Sequence, residues 1–90
     1  MNLHRHTPTR AAASVAAARL TIEQEFSSLH WQQPRLFRLA LNEAEAIAWQ
    51  TGFPHLFFPA LAREKALALA AWHARQQSIR RNQPILSFAA

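Results

Sequence analysis

The histidines, serines and glutamates are the residues of this sequence whose side chains could do chemistry. His4 and His6 could bind a metal ion, but a closed site needs about four ligands, and the chain has no cysteine or aspartate to add. The single glycine excludes a glycine-rich phosphate loop, and no serine stands in a nucleophile elbow. Glu43 and Glu45 lie two apart and so point to different faces of a helix. We expect no catalytic residue, no metal site, no cofactor and no enzymatic activity.

The aromatic residues form the densest apolar cluster. Three phenylalanines, a leucine and a histidine fall within Phe53–Phe58, more than one helical turn can cover. The small chain must also bury the large side chains of three tryptophans, Trp31, Trp49 and Trp72. Packing in the core is one interpretation, and a surface that contacts another protein is the other. The second favours a non-enzymatic protein–protein interaction module, either a homo-oligomer or a small subunit of a larger assembly. The expected contact residues are Trp49, Phe53, Leu56, Phe57 and Trp72.

The arginines towards the C-terminal end form a second candidate site, consisting of Arg63, Arg75, Arg80 and Arg81. Guanidinium groups suit phosphate recognition, so these residues predict an alternative function, a basic nucleic-acid-binding accessory protein. In the competing interpretation they form a solvated face, on which Arg80 and Arg81 complement the negative end of a helix dipole. The sequence leaves both open.

Charge is unevenly distributed along the chain. The formal net charge is +5. Residues 1–20 and 51–90 are basic, whereas residues 21–50 carry two arginines against four glutamates. This pattern suits an anionic partner or head-to-tail self-association.

The composition predicts an all-α protein. Half of the residues are hydrophobic, yet 19 are alanine, which favours helix and buries little area. A sheet protein would need more turn residues than one glycine and no aspartate. Without cysteine there is no disulfide framework, which fits a cytoplasmic protein. No apolar run reaches the roughly 18 residues of a membrane span, so we expect no membrane contact.

The periodicity predicts a single domain, a small bundle of three main helices near 8–30, 35–51 and 59–82. A short helical corner at 53–58 is bracketed by Pro54 and Pro59, residues 1–7 form a flexible arm, and residues 84–90 form a tail after Pro84. Thr7 and Pro8 are expected to begin the first helix. The sequence leaves two alternatives, a helix restarting at Thr21 with residues 1–20 as an arm, and a shorter second helix starting at Asn42.

Apolar spacing identifies one stripe on each predicted helix. The first follows steps of four, three, four, four and three, and the third follows steps of seven, four and seven. Thr51 and Gly52 are expected to end the second helix, because glycine readily takes the left-handed conformation. The stripes are Ala11, Val15, Ala18, Ile22, Phe26 and Leu29; Leu36, Ala40 and Ile47 with Phe37, Leu41, Ala44 and Ala48; and Leu61, Ala68, Trp72 and Ile79.

Overall fold

The computed structural model describes the backbone of residues 9–89 and the side chains of residues 9–81. It is a small all-α bundle, and the described residues contain no strand. The predicted arm at residues 1–7, with Thr7 and Pro8, lies outside the described part of the chain. Four helices follow one another: α1 (Arg10–Glu25), α2 (Ser27–Gln32), α3 (Pro34–Gln50) and α4 (Pro54–Ala89).

Helix α1 begins with a threonine cap. The Thr9 hydroxyl accepts a hydrogen bond from the Ala12 amide at 3.0 Å, which satisfies one of the free amides of the first turn. The helix runs through Thr21, whose hydroxyl donates to the carbonyl of Ala17, so the proposed restart at Thr21 is wrong.

The predicted first helix divides at Phe26. Backbone hydrogen bonds of 2.9 Å join Phe26 to Ile22 and His30 to Phe26, so the division is a bend rather than a loop. Leu29 in α2 is buried beyond the bend. The short helix therefore extends the buried side of α1.

Helix α3 confirms its predicted start and end. Pro34 occupies its first turn, where the missing amide hydrogen costs nothing. The helix is continuous through Asn42, so the alternative of a later start is wrong. Gly52 follows its end with φ of 83°, the left-handed conformation that glycine allows.

Helix α4 differs most from the prediction. It starts at Pro54 and includes residues 54–58, so the predicted separate corner at 53–58 is wrong. Pro59 removes one hydrogen bond, to the carbonyl of His55, but His55 is exposed and its carbonyl can face water. Pro54 and Phe58 are buried and hold the first turns in place. The backbone stays helical through Pro84 to Ala89, so the predicted end near residue 82 is also wrong.

Helix α4 lies at the centre of the bundle and packs against both α1 and α3. Glu25 and Gln33 contact Arg63 and His73, in the same order along both segments, so α1 and α2 run parallel to α4. The order is reversed for α3, since Gln33 at its start contacts His73 while Glu43 contacts Lys65. None of the described helices combines the length and apolar character that a membrane crossing requires.

The core is narrow and rich in alanine. The predicted stripe on α1 is confirmed, because all its members are buried or half-buried. On α3 only Phe37, Leu41, Ala44 and Ala48 are buried, while Leu36 and Ile47 stay exposed. On α4 the predicted line is not the buried face: Leu61 is half-buried, but Ala68, Trp72 and Ile79 are exposed, and Ala62 and Ala66 are buried instead. The ten buried hydrophobic residues are Val15, Ile22, Leu29, Phe37, Leu41, Ala44, Ala48, Phe58, Ala62 and Ala66.

Candidate functional site

More large apolar side chains face outward than inward in the described part of the chain. Only six of the ten buried hydrophobic residues are larger than alanine, whereas twelve large ones are exposed. All three tryptophans belong to the exposed set. Exposed apolar side chains mark a contact surface where they adjoin one another in a patch, whereas single ones are ordinary. The exposed residues are Leu20, Trp31, Leu36, Leu39, Ile47, Trp49, Phe53, Leu56, Phe57, Leu67, Trp72 and Ile79.

Four of the five predicted contact residues surround the connection between α3 and α4. We call Trp49, Phe53, Leu56 and Phe57 the corner patch. The backbone amide of Gly52 bonds to the carbonyl of Trp49, and those of Leu56 and Phe57 bond to the carbonyl of Phe53. These short links hold the four residues close together at one end of the bundle. Leu56 is the most exposed of them, at 65%.

The connection beneath the corner patch is fixed by Thr51. Its hydroxyl donates to the carbonyl of Ala48 at 2.7 Å and accepts from the amide of Phe53 at 3.0 Å. Because these two hydrogen bonds fix the connection, the backbone beneath the corner patch has a defined conformation.

Trp72, the fifth predicted contact residue, lies apart from the corner patch. It stands 15 residues beyond Phe57 in the same helix, which separates the two by about 22 Å along the axis. Trp72 is also only 38% exposed. The structure therefore does not place all five residues on one surface.

A second apolar feature starts in the corner patch and was not identified from the sequence. Six exposed apolar residues recur at steps of three, four, seven, four and three, which keeps them on one side of the helix. This side faces away from the buried residues Phe58, Ala62 and Ala66. We call it the outer stripe of α4; it consists of Phe53, directly before the helix, and Leu56, Ala60, Leu67, Ala71 and Ala74 within it. Its spacing is visible in the sequence, but α4 carries several apolar lines and spacing alone does not show which one faces solvent.

The four predicted nucleic-acid-contacting arginines do not form one surface. Arg63 donates from Nη2 to Oε1 of Glu25 at 2.6 Å and so joins α4 to α1. That hydrogen bond, reinforced by the opposite charge, raises the pKa of the Arg63 guanidinium. Arg75, Arg80 and Arg81 are exposed and lie more than about 15 Å further along α4. Their spacing turns these three to different sides of the helix.

The fold adds two arginines to that end of the molecule. Because α3 runs antiparallel to α4, Arg35 and Arg38 lie in the same half of the bundle as Arg75, Arg80 and Arg81. We call residues 26–42 and 66–81 the basic half; it holds five arginines and no carboxylate. The remaining described residues carry four cations against five glutamates. Charge is therefore polarised along the molecule.

Four of the five glutamates are neutralised within the chain. Arg19 pairs with both Glu23 and Glu45. Lys65 lies 2.6 Å from Glu43, and Arg63 lies 2.6 Å from Glu25. Glu64 has no ion-pair partner among the described residues, and neither have the five arginines of the basic half.

A groove crosses the basic half between α4 and the connection from α2 to α3. The amide Nε2 of Gln33 donates to Nδ1 of His73 at 3.2 Å and bridges its two sides. Trp31 stands at its edge with 86% of its surface exposed. The groove is lined by Trp31, Gln32, Gln33, His73, Gln77 and Arg80.

No three potential metal ligands converge within the described residues; His4 and His6 lie outside them. Comparison with known proteins found no matching family model, no matching curated protein and no matching solved structure.

Proposed function

We propose that this chain is a non-enzymatic protein-interaction module that self-associates through the corner patch and the outer stripe of α4. The proposal depends on one observation, the twelve large apolar side chains that remain exposed around a core with six. Fully burying one such side chain contributes about 1.5–3 kcal/mol. Contact between two copies would cover five of the twelve, Trp49, Phe53, Leu56, Phe57 and Leu67, and would recover part of that free energy without a further chain.

A second copy is favoured as the partner because the outer stripe is complementary to itself. Its large residues, Phe53 and Leu56, lie at one end, and its small residues, Ala71 and Ala74, lie at the other. In an antiparallel pair of α4 helices, each large end faces a small end. In a parallel pair, the Phe53 rings of the two copies would meet at one end, and the small alanines would leave a gap at the other. Close packing therefore favours the antiparallel arrangement.

Charge favours the same orientation. A parallel pair would bring two basic halves together, with five arginines in each, whereas an antiparallel pair keeps them at opposite ends. Like charges brought together across an interface are unfavourable, so the arginine distribution selects the antiparallel orientation.

Sedimentation equilibrium from low to high micromolar concentration tests the proposal. The average mass of the wild-type chain should rise with concentration from that of a monomer towards that of a dimer. Leu67→Glu places a charge in the stripe and should give a monomer. Leu20→Glu is a matched control, because Leu20 and Leu67 are both 55% exposed but Leu20 lies on α1, and this variant should remain a dimer.

Two outcomes would contradict the proposal. One is a wild-type chain that stays monomeric over the whole concentration range. The other is an equal effect of Leu67→Glu and Leu20→Glu, which would mean that association does not use the stripe. Circular dichroism of both variants confirms that the helices are retained.

A further inference from the structure

We infer that the groove in the basic half binds single-stranded nucleic acid, with Trp31 as the platform on which a base stacks. This inference does not depend on self-association. It rests on a flat exposed ring, polar groups beside it and a local excess of positive charge.

Trp31 has the exposure that a stacking platform needs. At 86% exposure, almost the whole indole is open to solvent, whereas Trp49 and Trp72 are partly covered by the chain. An indole that remains in water contributes no burial free energy to the stability of the fold. Stacking of a base on such a ring is a recurrent means of holding single strands, and it tolerates any sequence because every base has a flat face.

The groove beside Trp31 offers polar groups suited to bases and phosphates. The amides of Gln32, Gln33 and Gln77 both donate and accept hydrogen bonds, as base edges require. Arg80 lines the same groove, and its guanidinium can bind a phosphate through two parallel hydrogen bonds. The bond between Gln33 and His73 holds the two sides of the groove in place before a ligand arrives.

The charge of the basic half supplies attraction at longer range. Its five arginines have no carboxylate partner among the described residues, so they are available to neutralise phosphates. Binding of this kind releases condensed counterions and weakens as salt increases. An anionic polymer is therefore drawn to this half rather than to the other.

A single strand fits these features better than a duplex or an acidic protein. In a duplex the bases are stacked on one another, so a single exposed indole has no free base face to contact. An acidic protein would satisfy the arginines but would leave Trp31 without a flat partner. The combination of ring, amides and guanidinium favours unpaired nucleotides.

The groove and the outer stripe lie on different sides of α4. His73, Gln77 and Arg80 cluster on the side that faces α2, roughly 130° around the helix from the stripe. A dimer formed through the stripe therefore leaves one groove open on each copy. An experiment that rejects one of the two proposals therefore leaves the other unaffected.

Fluorescence anisotropy of labelled oligo-dT and oligo-rU with the full chain at low ionic strength tests the inference. Trp31→Ala should weaken binding by about fivefold or more, and Trp31→Phe, which keeps a flat ring, should retain most of it. Trp72→Ala, outside the groove, should bind as the wild type. A preference for one of the two oligomers identifies the sugar that the site accepts.

A charge-matched pair separates the groove from net charge. Arg80→Ala and Arg10→Ala each remove one exposed cation, but Arg10 lies at the opposite end of the bundle. Arg80→Ala should weaken binding several-fold more than Arg10→Ala. A duplex of the same length should bind less tightly than the single strand.

Several results would overturn the inference. Unchanged binding by Trp31→Ala, or equal losses for Arg80→Ala and Arg10→Ala, would show only general attraction of polyanions. Duplex binding as tight as that of the strand would have the same meaning. Displacement of the oligonucleotide by equimolar poly-glutamate would identify an acidic protein as the ligand instead.

Discussion

Gln33 and His73 are joined by a hydrogen bond of 3.2 Å although 40 residues separate them in the chain. This bond connects the start of α3 to the second half of α4. It thereby places Trp31 beside Gln77 and Arg80, and brings the arginines of α3 into the same half as those of α4. The groove and the basic half both depend on this junction.

Replacing Gln33 by alanine should lower the free energy of unfolding by about 1 kcal/mol, the net value of one hydrogen bond. Gln32→Ala is the control, because Gln32 is exposed and Gln33 is half-buried. Urea unfolding at one fixed protein concentration measures both. Equal losses for the two variants would show that the bond to His73 contributes nothing specific.

Alanine substitutions at Thr9, which caps α1, and at Thr21, inside α1, should change the free energy of unfolding differently. Thr9→Ala removes the cap on the Ala12 amide and should cost about 1 kcal/mol of unfolding free energy. Thr21 lies inside the helix and bonds only to the carbonyl of Ala17, so Thr21→Ala should be neutral or stabilising by a few tenths of a kcal/mol. Thermal unfolding of the two single variants checks this. A Thr21→Ala loss as large as that of Thr9→Ala would show that Thr21 has a capping role after all.

Gly52→Ala should destabilise the protein by about 1–2 kcal/mol. A Cβ atom at Gly52 would meet nothing within 4 Å, so the cost comes from its φ of 83° rather than from a clash. Gly52→Asn should recover part of the loss, because asparagine tolerates this conformation better than alanine. Chemical unfolding of the three proteins ranks them, and a fully stable alanine variant would rule out this explanation.

Neighbouring phenylalanines in α4 should differ strongly in their contribution to stability. Phe58 is fully buried and Phe57 is 47% exposed. Phe58→Ala leaves a cavity and should cost about 3–5 kcal/mol, whereas Phe57→Ala should cost about 1 kcal/mol or less. If unfolding measurements gave similar losses, the start of α4 would not pack as described.

The elements that sequence predicted well are those with strong local signals. Regular apolar spacing identified the buried side of α1, and Pro34 and Gly52 marked the ends of α3. The bend at Phe26 has no glycine or proline beside it. In α4 the buried positions include Ala62 and Ala66, and alanine is so frequent in this chain that it does not distinguish a buried line from an exposed one.

The site was less predictable because it depends on contacts between distant segments. Local clustering suggested Trp49, Phe53, Leu56 and Phe57, which the structure does bring together. Trp72 was grouped with them only by residue type. Arg35 and Arg38 lie in a stretch of sequence with more glutamate than arginine, so the net charge of that stretch does not indicate a basic site. The basic half becomes apparent only from the antiparallel packing of α3 on α4.

Distances between spin labels on two copies test the proposed dimer most directly. The chain has no cysteine, so Ala68→Cys and Ser78→Cys, both at exposed positions, each give one labelling site. In the antiparallel pair, the axial separation between copies should be about 14 Å for residue 68 and about 43 Å for residue 78, from a rise of about 1.5 Å per residue. Two equal short distances would indicate a parallel pair, and the absence of any defined distance between copies would contradict self-association through α4.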